Sequence, residues 1–159
     1  MMIRVAVLTV SDTCAQGNRE DVSGQTIVDM LAKDKFEICD RKIVPDDFKA
    51  ITETLKGCCG NSRIDVILTT GGTGLGPRDV TPEATASVCQ RMAPGFGEIM
   101  RIEGLKKTEK AILSRGTAGV CGKTLVINLP GSPKAVRESL ESILNVLPHA
   151  VKMMLGGGH

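Results

Sequence analysis

A glycine-rich stretch over residues 69–83 has the residue types and spacing most suggestive of chemistry. It holds four glycines within six residues, followed by Arg78 and Asp79. Such glycines let backbone N–H groups approach a phosphate closely, and a helix start behind them adds a favourable dipole. The stretch is not a Walker A loop, because it lacks G-K-[ST], nor a dinucleotide fingerprint, because Pro77 replaces the last glycine. We favour phosphate binding over the alternative, a turn without a chemical role.

Acidic residues near predicted strand ends are candidates for holding a cation. Arg78 and Asp79 could neutralise phosphate charge and hold Mg²⁺, or they could form local ion pairs and hydrogen bonds within their loop. Asp46 and Asp47 lie just past the end of a predicted strand. Either could cap the helix that begins near Phe48, and one cap suffices. The remaining carboxylate is then free for a cation.

A second loop, residues 128–134, again joins a predicted strand to a predicted helix. Ser132 could be only the N-cap of that helix, whereas Gly131 and Lys134 could form an anion pocket beside it. Residues 114–116 add a hydroxyl and a guanidinium near the preceding hairpin. These groups are typical of phosphate or nucleotide recognition.

The composition bounds the classes of function. The 159 residues carry 20 basic and 18 acidic side chains, a net charge of +2, which argues against a dedicated nucleic-acid or membrane surface. Only 2% are aromatic, which argues against base-stacking platforms. Six cysteines without C-x-x-C spacing and two histidines disfavour a zinc site. The sequence has no secretory-signal pattern and no membrane-length apolar run, so we expect a cytoplasmic protein with reduced, packed thiols.

Alternating apolar and amphipathic segments must position these loops. Strands are predicted over 3–10, 37–44 and 65–70 and in a hairpin over 117–128; helices are predicted to begin near Ser23, Phe48 and Phe96, at Thr81 as N-cap and at Ser132–Pro133, with one apolar stripe from Val136 to Leu147. The alternation predicts an α/β fold whose mostly parallel sheet has one antiparallel strand and helices on both faces. Ligands bind beyond the carboxyl ends of strands in such sheets, where the glycine-rich loop lies. We expect a single domain over residues 1–155 and a frayed tail over 156–159.

Five motifs in one order resemble the MogA/MoaB family of molybdenum-cofactor biosynthesis, to which the N-terminal domain of gephyrin is related. They are VPDD (44–47), TTGGTG-x-G-P-RDVTPEAT (69–85), PGFGE-x-MR (94–101), AILSR (111–115) and NLPGSPKAV (128–136). The resemblance covers essentially the whole chain. It implies a three-layer α/β/α domain that forms a homotrimer or a dimer of trimers, a hexamer. It also implies molybdopterin adenylyltransferase activity, in which Mg²⁺, ATP and molybdopterin give adenylyl-molybdopterin and pyrophosphate.

The resemblance carries over to individual residues. It implies Asp46 and Asp79 as the acids of the active site: Asp79 toward the metal and phosphates, and Asp46, with Asp47 as its alternative, toward the metal or substrate orientation. The implied ligand-binding residues are Gly71, Gly72, Thr73 and Gly74, which would cradle phosphate, and Ser114, Pro130, Gly131 and Ser132, which would line the pterin and nucleotide pocket.

The resemblance leaves partners and alternatives open. A downstream molybdate-insertion protein could take up the product. A non-catalytic molybdopterin-binding carrier or scaffold, or a nucleotide pyrophosphohydrolase, stays an alternative. Pyrophosphate release that depends strictly on molybdopterin would distinguish the transferase from a hydrolase.

Overall fold

The computed structural model describes residues 1–32 and 35–158, so His159 of the predicted tail lies outside the described residues. The strands are β1 (Ile3–Val10), β2 (Phe36–Val44), β3 (Val66–Thr70), β4 (Arg91–Met92), β5 (Ala118–Cys121) and β6 (Thr124–Leu129). The helices are α1 (Asp12–Ala15), α2 (Val22–Leu31), α3 (Phe48–Cys59), α4 (Thr81–Val88), α5 (Gly95–Leu105), α6 (Pro133–Ile143) and α7 (Leu147–Met154), with short 3₁₀ turns at Glu109–Leu113 and Leu144–Val146.

The six described strands form one sheet in the order β2-β1-β3-β6-β5-β4. The strands β2, β1, β3 and β6 pair in parallel, whereas β5 pairs antiparallel with both β6 and β4. The strand β5 therefore opposes the other five. The hairpin between β5 and β6 turns at Gly122, whose φ of 61° lies in the left-handed region that favours glycine. The predicted mostly parallel sheet with one antiparallel strand is confirmed.

Two hydrophobic clusters cover the two faces of the sheet. Alternate residues of β1 divide between them, because side chains alternate across a strand: Val5 and Val7 join one cluster and Ala6 and Leu8 the other. The first cluster includes core residues of α2, α6 and α7 and Met100 of α5; the second includes core residues of α3 and α4. This arrangement is the expected three-layer α/β/α architecture.

The start of α4 differs from the prediction. Thr81 was expected as the N-cap, but the helix begins at Thr81 itself and Val80 occupies the cap position without a side-chain capping bond. The Thr81 N–H instead donates to the Gly72 carbonyl at 3.1 Å. The Thr81 side chain is fully buried, and its hydroxyl has no partner among the described residues. The glycine-rich loop, rather than a capping side chain, therefore fixes the start of α4.

The C-terminal apolar stripe does not form one helix. The helix α6 ends at Ile143, a 3₁₀ turn follows, and α7 begins at Leu147 with Pro148 in its first turn. Proline lacks the N–H that a continuous helix would need at that position, and it favours a new first turn. The stripe is nevertheless buried as predicted, since Val136, Leu140 and Leu147 are fully inaccessible.

The two-residue strand β4 was not predicted, because it is too short to show a periodic pattern.

Among the described residues, every helix is too short or too polar to cross a membrane.

Candidate functional site

The carboxyl ends of the parallel strands surround a cavity of about 350 Å³. We call it the carboxylate cavity, because the side chains of Asp46 and Asp79 line it. Its other lining residues are 9–11, 19–23, 70–72 and 131–133, together with Cys14. The glycine-rich loop, the loop after β2 and the loop before α6 therefore meet at the edge of the sheet where the sequence predicted a site.

A second cavity of about 300 Å³ lies beside it, and we call it the α5 cavity. Its wall combines α5, the start of α6 and the segment between them. The lining residues are Gly97, Met100, Arg101, Gly104, Thr108, Lys110, Ala111, Ser114, Gly116, Asn128, Pro130, Ser132, Ala135, Glu138 and Ser139. Ser132 lines both cavities, so the two spaces adjoin at the N-terminus of α6.

The roles of Asp46 and Asp47 separate clearly. The Asp47 carboxylate accepts the Ala50 N–H at 2.9 Å and caps α3. Asp46 instead lines the carboxylate cavity, where its carboxylate accepts the Asp12 N–H at 3.0 Å and its own N–H donates to the Asp12 carboxylate at 3.0 Å. One acid of the pair is therefore a helix cap, and the other is free to face a ligand.

The charge on Asp46 is disfavoured by its surroundings. Burial raises the pKa of the Asp46 carboxyl, and the neighbouring carboxylates of Asp12 and Asp79 raise it further. The hydrogen bond from the Asp12 backbone opposes this shift. Two carboxylates that repel each other in one cavity form a place where a cation would be stabilised.

Arg78 adopts the local alternative of its two predicted roles. Its guanidinium forms a two-point ion pair with Asp12, at 2.7 Å from Nε and 3.0 Å from Nη2. These hydrogen bonds from Arg78 lower the pKa of the Asp12 carboxyl. Of the described residues, those that line the two cavities do not include Arg78. Arg78 thus holds Asp12, which in turn contacts Asp46.

The glycine-rich loop divides into two parts. Gly71 and Gly72 line the carboxylate cavity with φ values of 97° and 68°. A Cβ on either would lie 2.2 Å from another atom, the Val10 carbonyl oxygen for Gly71 and the Thr81 hydroxyl for Gly72. Thr73 and Gly74 are not among the described residues that line either cavity. Only the first half of the predicted phosphate cradle therefore faces the cavity.

The second half of the loop forms the seat of Asp79. The Asp79 carboxylate accepts the Gly76 N–H at 3.0 Å. A Cβ on Gly74 would lie 2.8 Å from that carboxylate, and one on Gly76 would lie 2.9 Å from it. A side chain at either glycine would displace the Asp79 carboxylate from this position. Part of the glycine content is therefore structural, as the alternative interpretation of the motif proposed.

The loop before α6 forms the boundary between the cavities. Pro130 lines the α5 cavity, Gly131 lines the carboxylate cavity, and the Ser132 hydroxyl accepts the Ala135 N–H at 3.2 Å as the N-cap of α6. Ser114 lines only the α5 cavity. The hydroxyl of Ser132 keeps its own proton, so it can cap the helix and still donate to a ligand at the boundary.

Two supporting residues were not predicted from the sequence. Ser23 donates to the Gly131 carbonyl at 2.6 Å. The buried carboxylate of Asp21 accepts from Gly24 N–H at 2.8 Å and from the Thr9 hydroxyl at 2.7 Å, which fixes the start of α2. No functional role was predicted for Asp12 from the sequence. Its position just past the carboxyl end of β1, a strand inside the sheet, is the signal that could have identified it.

Burial makes several of the cysteines poor nucleophiles. All six are free. Burial raises the pKa of the Cys58 and Cys59 thiols, and it raises that of Cys89 to about 11. Thiols with raised pKa values stay protonated and poorly nucleophilic near neutral pH. The described residues contain no cluster of three or more His, Cys, Asp or Glu side chains suited to a metal. A cation held at Asp46 and Asp79 would therefore need further ligands, such as water or phosphate oxygens.

The fold and these paired cavities define the class of protein. Residues 6–149 match the family described as "Probable molybdopterin binding domain", and the chain belongs to this family. The chain is 44% identical over 156 residues to the molybdopterin adenylyltransferase of Helicobacter pylori, a match that covers 97% of this chain and 89% of that protein.

Two further relatives agree with this assignment. The structure of the molybdopterin biosynthesis enzyme MoaB from Thermus thermophilus has a TM-score of 0.92 and 50% identity, and the match covers 98% of both chains. Gephyrin of Dictyostelium discoideum is 40% identical over a region that covers 94% of this chain and 22% of that protein. The resemblance to the MogA/MoaB family and to gephyrin is confirmed.

Proposed function

We propose that the protein is a molybdopterin adenylyltransferase, which transfers AMP from ATP to the terminal phosphate of molybdopterin and releases pyrophosphate. The observation that carries this proposal is the adjacency of two cavities at Ser132, one lined by several acids that include Asp46 and Asp79 and the other, in the described part of the chain, by a single acid, Glu138. A transferase that joins two substrates needs two spaces whose contents can meet. The relatives named as adenylyltransferases support the same activity.

The carboxylate cavity suits the nucleotide phosphates. Gly71 and Gly72 bring backbone close to the cavity, and the N-terminus of α6 adds backbone N–H groups and a favourable dipole. Asp46 and Asp79 fit a magnesium ion, because Mg²⁺ is usually held by one or two carboxylates and by substrate phosphates. Bound there, Mg²⁺ would supply neutralisation of the triphosphate charge.

The α5 cavity suits the pterin. Met100, Ala111 and Pro130 give it apolar walls, while Arg101 and Ser114 add polar groups that could orient a heterocycle. The terminal phosphate of molybdopterin would then lie at the Ser132 boundary. A phosphate oxygen of molybdopterin attacks the α-phosphorus of ATP, the bond from that phosphorus to the bridging oxygen breaks, and pyrophosphate leaves with the electron pair. Such a step needs positioning and charge stabilisation rather than a protein nucleophile.

The assembly that we propose is a homotrimer, with a dimer of trimers as the larger form. A groove beside α5 is lined by the apolar residues Ala93, Pro94, Phe96, Ile99, Ile143 and Val146. Ile99 and Val146 are exposed in the single chain, as are Met153 and Leu155 near its end. Apolar patches of this kind are stabilised by burial between subunits. We further propose that the protein acts in the cytoplasm and passes its product to a molybdate-insertion protein.

The test is an assay of adenylyl-molybdopterin formation from ATP, Mg²⁺ and molybdopterin by the purified protein. We expect one pyrophosphate released for each adenylyl-molybdopterin formed, and no release without molybdopterin. Release from ATP alone would indicate a pyrophosphohydrolase. Binding of molybdopterin without any product would indicate a carrier or scaffold, and either result would overturn the proposal.

A further inference from the structure

Arg115 directs its hydrogen-bond donors at the loop that carries Asp79. Its backbone N–H donates to the Thr73 carbonyl at 2.8 Å. Its guanidinium donates from Nε to the Gly74 carbonyl at 2.8 Å and from Nη2 to the Asp79 carbonyl at 2.6 Å. The remaining nitrogen, Nη1, forms an ion pair with Glu83 of α4. One side chain thus contacts both ends of the loop and the helix that follows it.

Besides Arg115, the ion pair between Arg78 and Asp12 also holds this loop from outside. Residues 75–78 are exposed, and the segment between β3 and α4 lies outside regular secondary structure. Within the loop, Asp79 bonds only to Gly76, through its carboxylate and its N–H. Exposed loops with few packing contacts open easily. Arg78 holds the loop through its exposed side chain, whereas Arg115 bonds the backbone carbonyl of Asp79 itself.

Arg115 also connects the two cavities. Its chain neighbours Ser114 and Gly116 line the α5 cavity, whereas Asp79 lines the carboxylate cavity. A planar guanidinium can bond two carbonyls in fixed directions, which a flexible ammonium cannot do. The geometry is that of a rigid link between the two walls.

We propose that Arg115 is a positioning residue that holds the loop 73–79, and so Asp79, against the wall of the α5 cavity. It acts through backbone carbonyls and not as a cation for substrate phosphate. This inference rests on the proposed adenylyltransferase function. It means that the position of Asp79 is set by a residue that does not itself line the carboxylate cavity.

Kinetics of four variants test the proposal. Arg115→Gln should lower kcat for adenylylation by about tenfold or more, while molybdopterin affinity stays within about threefold of wild type. A displaced Asp79 carboxylate would stabilise the transition state less well, without weakening molybdopterin binding. Arg115→Lys should be as slow as Arg115→Gln, since a lysine keeps the charge but lacks the planar guanidinium that bonds two carbonyls at once. In the Asp79→Asn variant, adding Arg115→Gln should lower kcat by less than about a further threefold. Both substitutions remove the same contribution to the rate, that of a correctly placed Asp79 carboxylate. Glu83→Gln should stay within about threefold of wild type, since that ion pair is exposed.

Three kinetic results would overturn the proposal. Restoration of the rate by Arg115→Lys would indicate a role for charge. Multiplicative losses in the double variant would mean that Arg115 does not act through Asp79. A loss in Glu83→Gln equal to that in Arg115→Gln would place the effect in the ion pair and not in the backbone contacts.

Hydrogen exchange separates this proposal from the proposed function. In Arg115→Gln, amide exchange over residues 73–79 should rise about tenfold while the sheet strands keep their protection. Unchanged exchange in that segment would overturn the positioning role. The wild type could form no adenylyl-molybdopterin while exchange over residues 73–79 still rises in Arg115→Gln. That result would overturn the proposed enzymatic function and leave the positioning role supported.

Discussion

Asp12 and Asp46 hold each other by a reciprocal pair of hydrogen bonds, each donating its backbone N–H to the carboxylate of the other at 3.0 Å. Asp12 follows β1 and Asp46 follows β2, so the bonds lock together two loops at the edge of the sheet. The arrangement sets two acids side by side, and Arg78 compensates by pairing with Asp12. Burial raises the pKa of the Asp46 carboxyl, whereas the hydrogen bonds from Arg78 lower that of Asp12.

The charge of Asp79 is the subject of the first prediction. Asp79→Asn should preserve the fold and the hydrogen bond from Gly76, since an amide oxygen can accept it. We expect molybdopterin to bind normally and adenylylation to slow by at least about a hundredfold, roughly 2.7 kcal/mol of barrier. The rate of adenylyl-molybdopterin formation measures the effect. Asp47→Asn is the matched control, because asparagine caps a helix as well as aspartate does. A rate for Asp79→Asn within a few-fold of wild type would refute a metal-holding role.

The raised pKa of Asp46 predicts a pH-dependent stability. The folded protein binds more protons than the unfolded chain between the ordinary carboxyl value of 3.8 and the raised one, so ionisation of Asp46 lowers the free energy of unfolding as pH rises through that window. Asp46→Asn should therefore unfold at a higher temperature than wild type at pH 7, with the difference vanishing toward pH 3. The same variant should lose adenylylation. Thermal unfolding from pH 3 to 7 checks this, and a lower Tm for the variant at pH 7 would contradict it.

Gly72 should tolerate no side chain. Its φ of 68° and the 2.2 Å separation between an added Cβ and the Thr81 hydroxyl mean that Gly72→Ala strains the backbone and displaces the loop. We expect ATP binding to be lost, along with about 1–3 kcal/mol of stability. Calorimetric titration with ATP and thermal unfolding measure both. The control is Gly57→Ala, because a Cβ there meets open space within α3. Wild-type ATP affinity in Gly72→Ala would show that the loop is only a turn.

Arg19 should contribute to ATP affinity. It is the only cationic side chain among the described residues that line the carboxylate cavity, which otherwise holds several acids. Arg19→Ala should weaken ATP binding about five- to tenfold and more strongly at low salt, because an exposed charge is screened. Molybdopterin affinity should not change. Arg63→Ala, another exposed arginine, controls for net charge. Equal ATP affinities for the two variants would exclude a role for Arg19.

The apolar groove beside α5 predicts the assembly. Light scattering of the wild type should give the mass of three or six chains at micromolar concentration. Ile99→Asp should dissociate the oligomer, since a charge buried between subunits is costly. Ile43→Asp, an exposed site on β2 at the opposite edge of the sheet, should leave it intact. A monomeric wild type would refute the proposed assembly. An oligomer that stays intact in Ile99→Asp would show that the subunits do not associate through this groove.

Local patterns in the sequence were sufficient for most of the fold. The sequence predicted a strand over 65–70 in a sheet with helices on both faces, and β3 is fully buried. The hairpin turn at Gly122 lies within the predicted hairpin, and Ser132 caps α6 as its residue type and position indicated. Each of these features depends on residues only a few positions apart, which is the range over which propensity, capping and periodicity act.

The assignment of roles within the site needed contacts that are distant in the sequence. The sequence offered two acids at 46 and 47 and two roles for Arg78, and it could not choose between them. The choice follows from Asp12, which is 34 residues from Asp46 and 66 from Arg78. Likewise, Thr73 and Gly74 face Arg115 rather than the carboxylate cavity because a residue about 40 positions away binds their carbonyls.

The sequence by itself therefore determined most of the strands and helices, the positions of the loops that follow them and the residue types that those loops present. The tertiary structure alone decided which side chains are neutralised, which of Asp46 and Asp47 caps a helix and which residues face a cavity. The physical reason is that these outcomes are set by charge pairing and burial between loops that only the order of strands in the sheet brings together.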